Sequence, residues 1–216
     1  LKQHKLVLAD GKGAHKPARG FEKLALFTWG PARKDTATIQ TFRTNACVRP
    51  GGIALRDYDF EKPRADIDAD RKQLKAQQRH QDQAVIYEYP GHYQSADRGQ
   101  KRARIRLEEL QADLAVAEAT TNASGLGVGA LFTLEGHQRQ CENQEYLVTA
   151  VHYDADGGAQ ESGDGAVPDF HAQLQCIPSK TPFRPRRRTP WPVVPGVQLA
   201  TVVGHKEGEV STDPHA

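Results

Sequence analysis

Only one stretch of the chain carries a helical period. Over residues 101–120, Ala103, Leu107, Leu110, Leu114 and Ala117 recur at steps of four and three, which marks one face of a helix. Gly99 lies before this stretch and residues 122–125 end it. Most other apolar runs are short and strand-like, and several are bounded by Gly or Pro. A chain built this way is excluded from the helical bundles, and its runs lack the strand–helix alternation of a parallel βαβ sheet.

The strand-like runs fall at 4–10, 36–48, 53–60 and 83–89, then at 126–136, 145–153 and 169–178 after the helix. Asp10-Gly11-Lys12-Gly13 closes the first, and Pro50-Gly51-Gly52 separates the second from the third. Residues 61–82 hold only Ile67 and Leu74 as large apolar side chains among many charges, and read as an exposed connection without an apolar stripe. A Gly-rich loop, 154–168, is expected to be solvated and mobile. The pattern predicts a mainly β, antiparallel fold with one prominent helix (101–120). The helix is expected to seat Ala103, Leu107, Leu110 and Leu114 on strands from 126–178.

Leu, Ile, Val and Phe together number only 43 of 216 residues, yet the net charge is just +2. Disordered chains pair thin cores with high charge, so this reads as a folded chain that completes its core with partners or further sequence. The chain opens on Leu1 and contains no Met, so it is expected to be a piece of a longer one. No apolar run approaches the roughly 18 residues of a membrane-spanning helix. Cys47, Cys141 and Cys176 form no C-x-x-C pair, which speaks for reduced thiols over a disulfide framework or a zinc site.

Motifs that carry chemistry are incomplete. Gly125, Gly127 and Gly129 give G-x-G-x-G, but a helix precedes and a strand follows, the reverse of a phosphate loop. Asp154 and Asp156 begin like a calcium loop, yet Gly158 and Gly165 stand where oxygen ligands are needed. The nine histidines make no H-E-x-x-H or i, i+4 pair, although His152 and His171 fall where two strands can bring them together. Glu108 and Glu109 are adjacent and point to different helix faces, a poor geometry for a two-carboxylate hydrolase. No catalytic, cofactor-binding or metal residue is therefore assigned, no cofactor is expected, and the chain is read as a non-enzyme.

Residues 182–192 change character, with Pro182, Pro185, Pro190 and Pro192 alternating with Arg184, Arg186, Arg187 and Arg188. This is a stiff extended strap. Its arginines suit phosphate, but without interleaved aromatics they read as a solubilising or partner-facing patch. A last β-rich run, 193–204, carries Val193, Val194, Val197, Leu199, Val202 and Val203.

Read together, HKLVLAD (4–10), VRPGGIALRDYDFEKPRADI (48–67), YEYPGHY (87–93), RARIRLEELQA (102–112), GLGVGALFTLEGH (125–137) and NQEYLVTAVHY (143–153) form an ordered set. With IPSKTPFRPRRRTPWPVVPGVQLATVVG (177–204) they span nearly the whole chain. The set resembles VgrG, the spike protein of type VI secretion systems, itself similar to phage tail hub and needle proteins. The resemblance implies that 1–183 is the later part of a phage-hub-like region with an antiparallel, barrel-like fold, 184–192 a linker and 193–216 the beginning of an incomplete OB-fold. It also implies a structural spike component: a homotrimer seated on the Hcp tube, with a PAAR tip protein and effectors engaged through parts missing here. Such a hub is assembled in the bacterial cytoplasm and secreted by the type VI system to the extracellular space or into target cells. No nucleic acid and no stable membrane insertion are implied. The alternatives are a phage-hub-type cell-wall hydrolase and an OB-type nucleic-acid binder using the arginine strap.

Overall fold

Two units are woven from alternating parts of the chain: Leu1–Arg49 with Glu108–Arg184, and Pro50–Leu107 with Pro185–Ala216. The structure, a computed structural model, describes residues 8–27, 36–62, 64, 67–72, 84–156 and 169–201. In chain order the strands are β1 (Lys16–Pro17), β2 (Lys23–Leu26), β3 (Thr38–Ala46), β4 (Gly52–Leu55) and β5 (Ala69–Lys72). They continue as β6 (Val85–Glu88), then helix α1 (Ala96–Gln111), β7 (Ala115–Thr121), β8 (Ala130–Glu135), β9 (Glu145–Asp156) and β10 (Asp169–Pro178).

In the first unit the strands run β8-β2-β3-β7-β10-β9, and β9 pairs back onto β8, so the sheet closes as a six-stranded barrel. The two-residue β1 pairs parallel with β8 at Ala130 and Leu131, on the same side of that strand as β2. Junctions β3–β7, β7–β10, β10–β9 and β9–β8 are antiparallel, as the spacing of the runs predicts. The two junctions of β2, with β8 and β3, are parallel. Period-2 burial fills the barrel: Ala117, Ala119 and Thr121 point inward from β7, while Ala172, Leu174 and Cys176 do so from β10. Opposite these small side chains stand Leu24, Ile39, Phe132, Leu134, Tyr146 and Val148, all in one buried cluster. Two irregularities bend the wall. Ile39 pairs with Thr121 and Thr41 with Thr120, so Gln40 is an extra residue on β3. Thr149 is the extra residue on β9, and its hydroxyl donates to Gln175 O at 3.0 Å.

The second unit is inserted between two strands that pair with each other. β3 leaves the barrel at Ala46, whose Cα partner is Ala115 at the start of β7. Just outside that pair, Arg49 grips Asp113 with two parallel bonds, Nε to Oδ1 at 2.8 Å and Nη2 to Oδ2 at 2.7 Å. The insert holds a three-stranded sheet, β5-β4-β6, in which β4 is central, antiparallel to β5 and parallel to β6. Tyr93 is its keystone. A Cβ on Gly91 would lie 2.4 Å from the Tyr93 ring, and one on Gly99 2.7 Å from it and 2.9 Å from the Ala69 Cβ. The Tyr93 hydroxyl donates to Leu55 O at 2.9 Å, and its N–H to Asp57 Oδ2 at 2.8 Å.

Three expectations are corrected. The helix runs Ala96–Gln111, not 101–120. It starts early because Gly99, which reads as a breaker, is a packing residue in its first turn, its N–H donating to Ser95 O at 2.9 Å. It stops early because Asp113 is held by Arg49 and Ala115–Thr121 pair with β3, the last five of them, Ala117–Thr121, also with β10. Alanine serves both states, so Ala117 continued the helical phase in sequence while obeying a strand period in the fold. The helix buries Gly99, Ala103 and Leu107 in the second unit, with Tyr93 and Ala69 at Gly99, in place of the expected seat on the 126–178 strands. Leu110 is only half-buried, and Glu109 is buried in its stead. Finally, the connection 61–82 contains strand β5, short and charged at Asp70, Arg71 and Lys72.

The described residues of the 4–10 run, 8–10, are not strand; the rest of that run lies outside the described residues. So do 157–168 of the Gly-rich loop and 202–204 of the last β-rich run; residues 193–201 form no strand, and the chain bends at Gly196 with a φ of 115°.

Phe132→Ala should lower the unfolding free energy by about 3–5 kcal/mol, and Leu110→Ala by less than about 2 kcal/mol, both measured by urea denaturation. Tyr93→Phe leaves Leu55 O without its donor and should cost about 1–3 kcal/mol in the same experiment. Burial would raise the Asp57 carboxyl, but N–H groups of Tyr93 and Tyr58 outweigh it and hold the group below its ordinary value of 3.8. The stabilisation is therefore present above about pH 4 and is lost as pH falls through the lowered value. Urea midpoints between pH 5 and pH 2 should fall less steeply in Asp57→Asn than in the parent.

Candidate assembly surface

The residues singled out by motif turn out to hold the fold. Gly125, Gly127 and Gly129 make the turn from β7 into β8. At Gly125 a Cβ would meet the Phe21 ring at 2.2 Å, and Gly129 takes a positive φ of 86° while its N–H donates to Val148 O at 2.8 Å. These are close-packing and turn requirements. His152 stands opposite Gln173 and His171 opposite Asp154, so the two histidines are diagonal neighbours, both exposed. Among the described residues, no three His, Cys, Asp or Glu side chains gather as metal ligands.

The other polar groups of the barrel are similarly committed. Cys47 and Cys141 are exposed and Cys176 is buried, all three free; burial pushes the Cys176 thiol up to about 12, which removes its nucleophilic form near neutrality. Burial, with the Glu142 carboxylate adding to it, raises the Tyr146 phenol well above its ordinary value despite an opposing bond from Gln144. Tyr146 donates to Glu142 Oε2 at 2.9 Å and packs edge-on to Phe42 at 5.1 Å. Glu108 does not converge on a second acid. Its Oε2 accepts Arg184 Nε at 2.8 Å, and Arg184 Nη1 also reaches Asp10 Oδ1 at 2.7 Å.

The arginine strap is tied down by carboxylates. Besides Arg184, Arg187 meets Glu88 Oε2 at 3.3 Å, while Glu88 Oε1 holds Arg106 of α1 at 2.8 Å. Carboxylates already neutralise Arg184 and Arg187 of the strap, which weakens the case for a phosphate-backbone track.

What remains open is apolar. On β6, Val85 and Tyr87 point outward at alternate positions, and Tyr89 continues the series just beyond the strand; both tyrosines are 61% exposed. β6 is an edge strand of its sheet. The same unit exposes Tyr58, Phe60 at 65%, Ile105 and Trp191 at 65%, then Val193, Val194, Val197 and Leu199 of the segment 193–201. Large apolar side chains on an unprotected sheet edge mark surfaces meant for a partner. The opposite edge, β5, carries the exposed Asp70, a charge that guards against such pairing. No signal in the sequence separated these tyrosines from core tyrosines; only the edge position of β6 does so.

Comparison with known proteins agrees with a part of a larger machine. The chain is 34% identical over 214 residues to the type VI secretion system spike protein VgrG1b of Pseudomonas aeruginosa, covering 99% of this chain and 29% of that protein. It is likewise 34% identical over 215 residues to VgrG1a of the same organism, covering 99% and 33%. The chain thus spans about a third or less of the length of these relatives. The 43 kDa tail protein of prophage MuSo2 from Shewanella oneidensis shares the fold, with a TM-score of 0.50 at 11% identity over 78% of this chain and 47% of that one. Residues 2–159 match the phage tail baseplate hub (GPD) family, and the chain belongs to that family.

Proposed function

We propose that this chain is the hub portion of a type VI secretion spike, and that its work is geometric rather than catalytic. The observation that carries the reading is the match to VgrG spike proteins along 99% of the chain, from the barrel through the strap. A closed barrel supplies a rigid body, and the exposed Val85, Tyr87 and Tyr89 along edge strand β6 supply a surface that needs covering. In this reading three copies assemble around an axis, the hub sits on the Hcp tube, and a PAAR protein and effectors attach through sequence outside this chain. Residues 1–183 are the later hub, 184–192 the linker and 193–216 the opening of an OB-fold. Assembly takes place in the bacterial cytoplasm, and the type VI system carries the spike out of the cell or into a target cell.

Residues 193–201 support the OB-fold assignment. Their apolar side chains Val193, Val194, Val197 and Leu199 are largely exposed, as expected of strand-forming sequence whose neighbours lie elsewhere. The hydrolase alternative needs an acid and a base sharing a cleft, and Glu108 is neutralised by Arg184.

The test is the mass of the assembly formed by the whole spike protein that carries this chain. Native mass spectrometry should give three copies, and Tyr87→Asp with Tyr89→Asp should reduce the trimer at least tenfold at equal concentration without altering the far-UV spectrum. A monomer in the parent protein would overturn the reading. Clearing of peptidoglycan in a zymogram by the purified chain would replace it with the hydrolase.

A further inference from the structure

Beyond the spike reading, we propose that the loop between β8 and β9, residues 137–144, is a lid on one end of the barrel, closed by the hydrogen bonds of the Glu142 carboxylate and kept close to opening by that carboxylate's own charge. The loop is built as one body. Asn143 ties its two limbs, Oδ1 accepting the His137 N–H at 2.8 Å and Nδ2 donating to His137 O at 2.9 Å. The His137 ring accepts the Arg139 N–H on Nδ1 at 3.1 Å, and Gln140–Glu142 form a single 3-10 turn. Gly136, with a φ of 81°, is the pivot where the loop leaves β8. Leu134 and Tyr146 on the flanking strands are buried, but none of residues 137–144 is. Little apolar burial therefore resists their movement as a group.

The closed lid is seated by few contacts. Glu142 Oε2 accepts the Tyr146 hydroxyl at 2.9 Å and Oε1 accepts the Thr44 hydroxyl at 3.1 Å. The His137 ring stands edge-on to Phe42, with centroids 5.9 Å apart. Against these works the position of the charge. The Glu142 side chain is only 13% exposed, while its one cationic partner among the described residues, Arg139, lies 4.0 Å away and is 73% exposed. A carboxylate drawn out of water beside so weak a counter-charge carries a desolvation cost, and lifting the lid removes it. Burial, with the same carboxylate adding to it, holds the Tyr146 phenol above its ordinary value, so the phenol remains a donor while the lid is shut. Open, the lid uncovers Phe42 and Tyr146 and leaves the pairings of β7, β10 and β9 in place.

The test is native-state hydrogen exchange on the intact chain at low urea. The loop reporters are the N–H groups of Glu142, Asn143 and Gln144, with that of Leu134, which donates to Gln144 O at 3.0 Å; the wall reporters are the ladder amides of β7 and β10. Loop amides should exchange through an opening that urea does not promote, and wall amides through one that it does. Glu142→Ala removes both acceptors and should speed the loop about tenfold or more, and Thr44→Val about two- to fivefold, with the wall unchanged. Glu142→Gln separates the lid from a plain clamp. It keeps an oxygen for Tyr146 and offers an N–H to the Thr44 oxygen, without the charge, so it should slow the loop about two- to fivefold. The buried Cys176 thiol should stay closed to iodoacetamide in every variant, as a shut barrel requires. Loop amides that exchange only together with the wall, or a Glu142→Gln loop that is not slowed, would overturn the proposal.

Discussion

Barrel closure rests on one strand. β8 receives β1 and β2 on one side and β9 on the other, and its Phe132 and Leu134 are sealed at the centre of the core. Without the β8–β9 pairing, the first unit is an open sheet with unpaired N–H and C=O groups along two edges. With it, every strand of the ring has two neighbours. The closure also explains the parallel junctions: β2 lies between β8 and β3, parallel to both, so the antiparallel hairpin logic of β8, β9 and β10 is interrupted there.

The scarcity of large aliphatic residues acquires a local meaning in this barrel. One wall, β7, is nearly all small: Ala115, Ala117, Ala119, Thr120 and Thr121. A wall of small side chains lets Phe132, Tyr146, Ile39 and Leu24 reach across from the facing strands and fill the interior. A thin composition is thus compatible with a dry core in the first unit. In the second unit the opposite holds, with aromatic and β-branched side chains left on the surface.

Much of the fold was legible in the sequence, and the failures share a cause. Strands β3, β6, β8, β9 and β10 follow from alternation and from β-branched density, and their turns from Gly and Pro. β7 was hidden because alanine fits helix and strand alike, so that Leu114 and Ala117 prolonged a helical phase by coincidence. α1 begins earlier than its apolar stripe suggests because Gly99 is there for Tyr93 and for Ala69, thirty residues back, a contact local pattern cannot announce. β5 escaped because four residues with three charges resemble a loop; a central neighbour, β4, makes them a strand. The surface was less legible than the fold. Tyr87 and Tyr89 become conspicuous only once β6 is known to be an edge, and the family emerged from ordered phrases, not from any physical pattern.

The neck at Ala46 and Ala115 has a kinetic meaning. The two residues pair directly, yet roughly 70 residues of chain separate them, and closing so long a coil carries an entropic cost that grows with the logarithm of its length. If the insert orders first around Tyr93, that coil is replaced by two short stubs already held together by Arg49 and Asp113. β3 and β7 then meet as near neighbours, and contact order drops for the slowest pairing in the barrel. In that order of events the inserted segment 50–107 would act as a folding splint for the barrel, and damage to Tyr93 or to the Arg49–Asp113 fork would slow its closure at a distance.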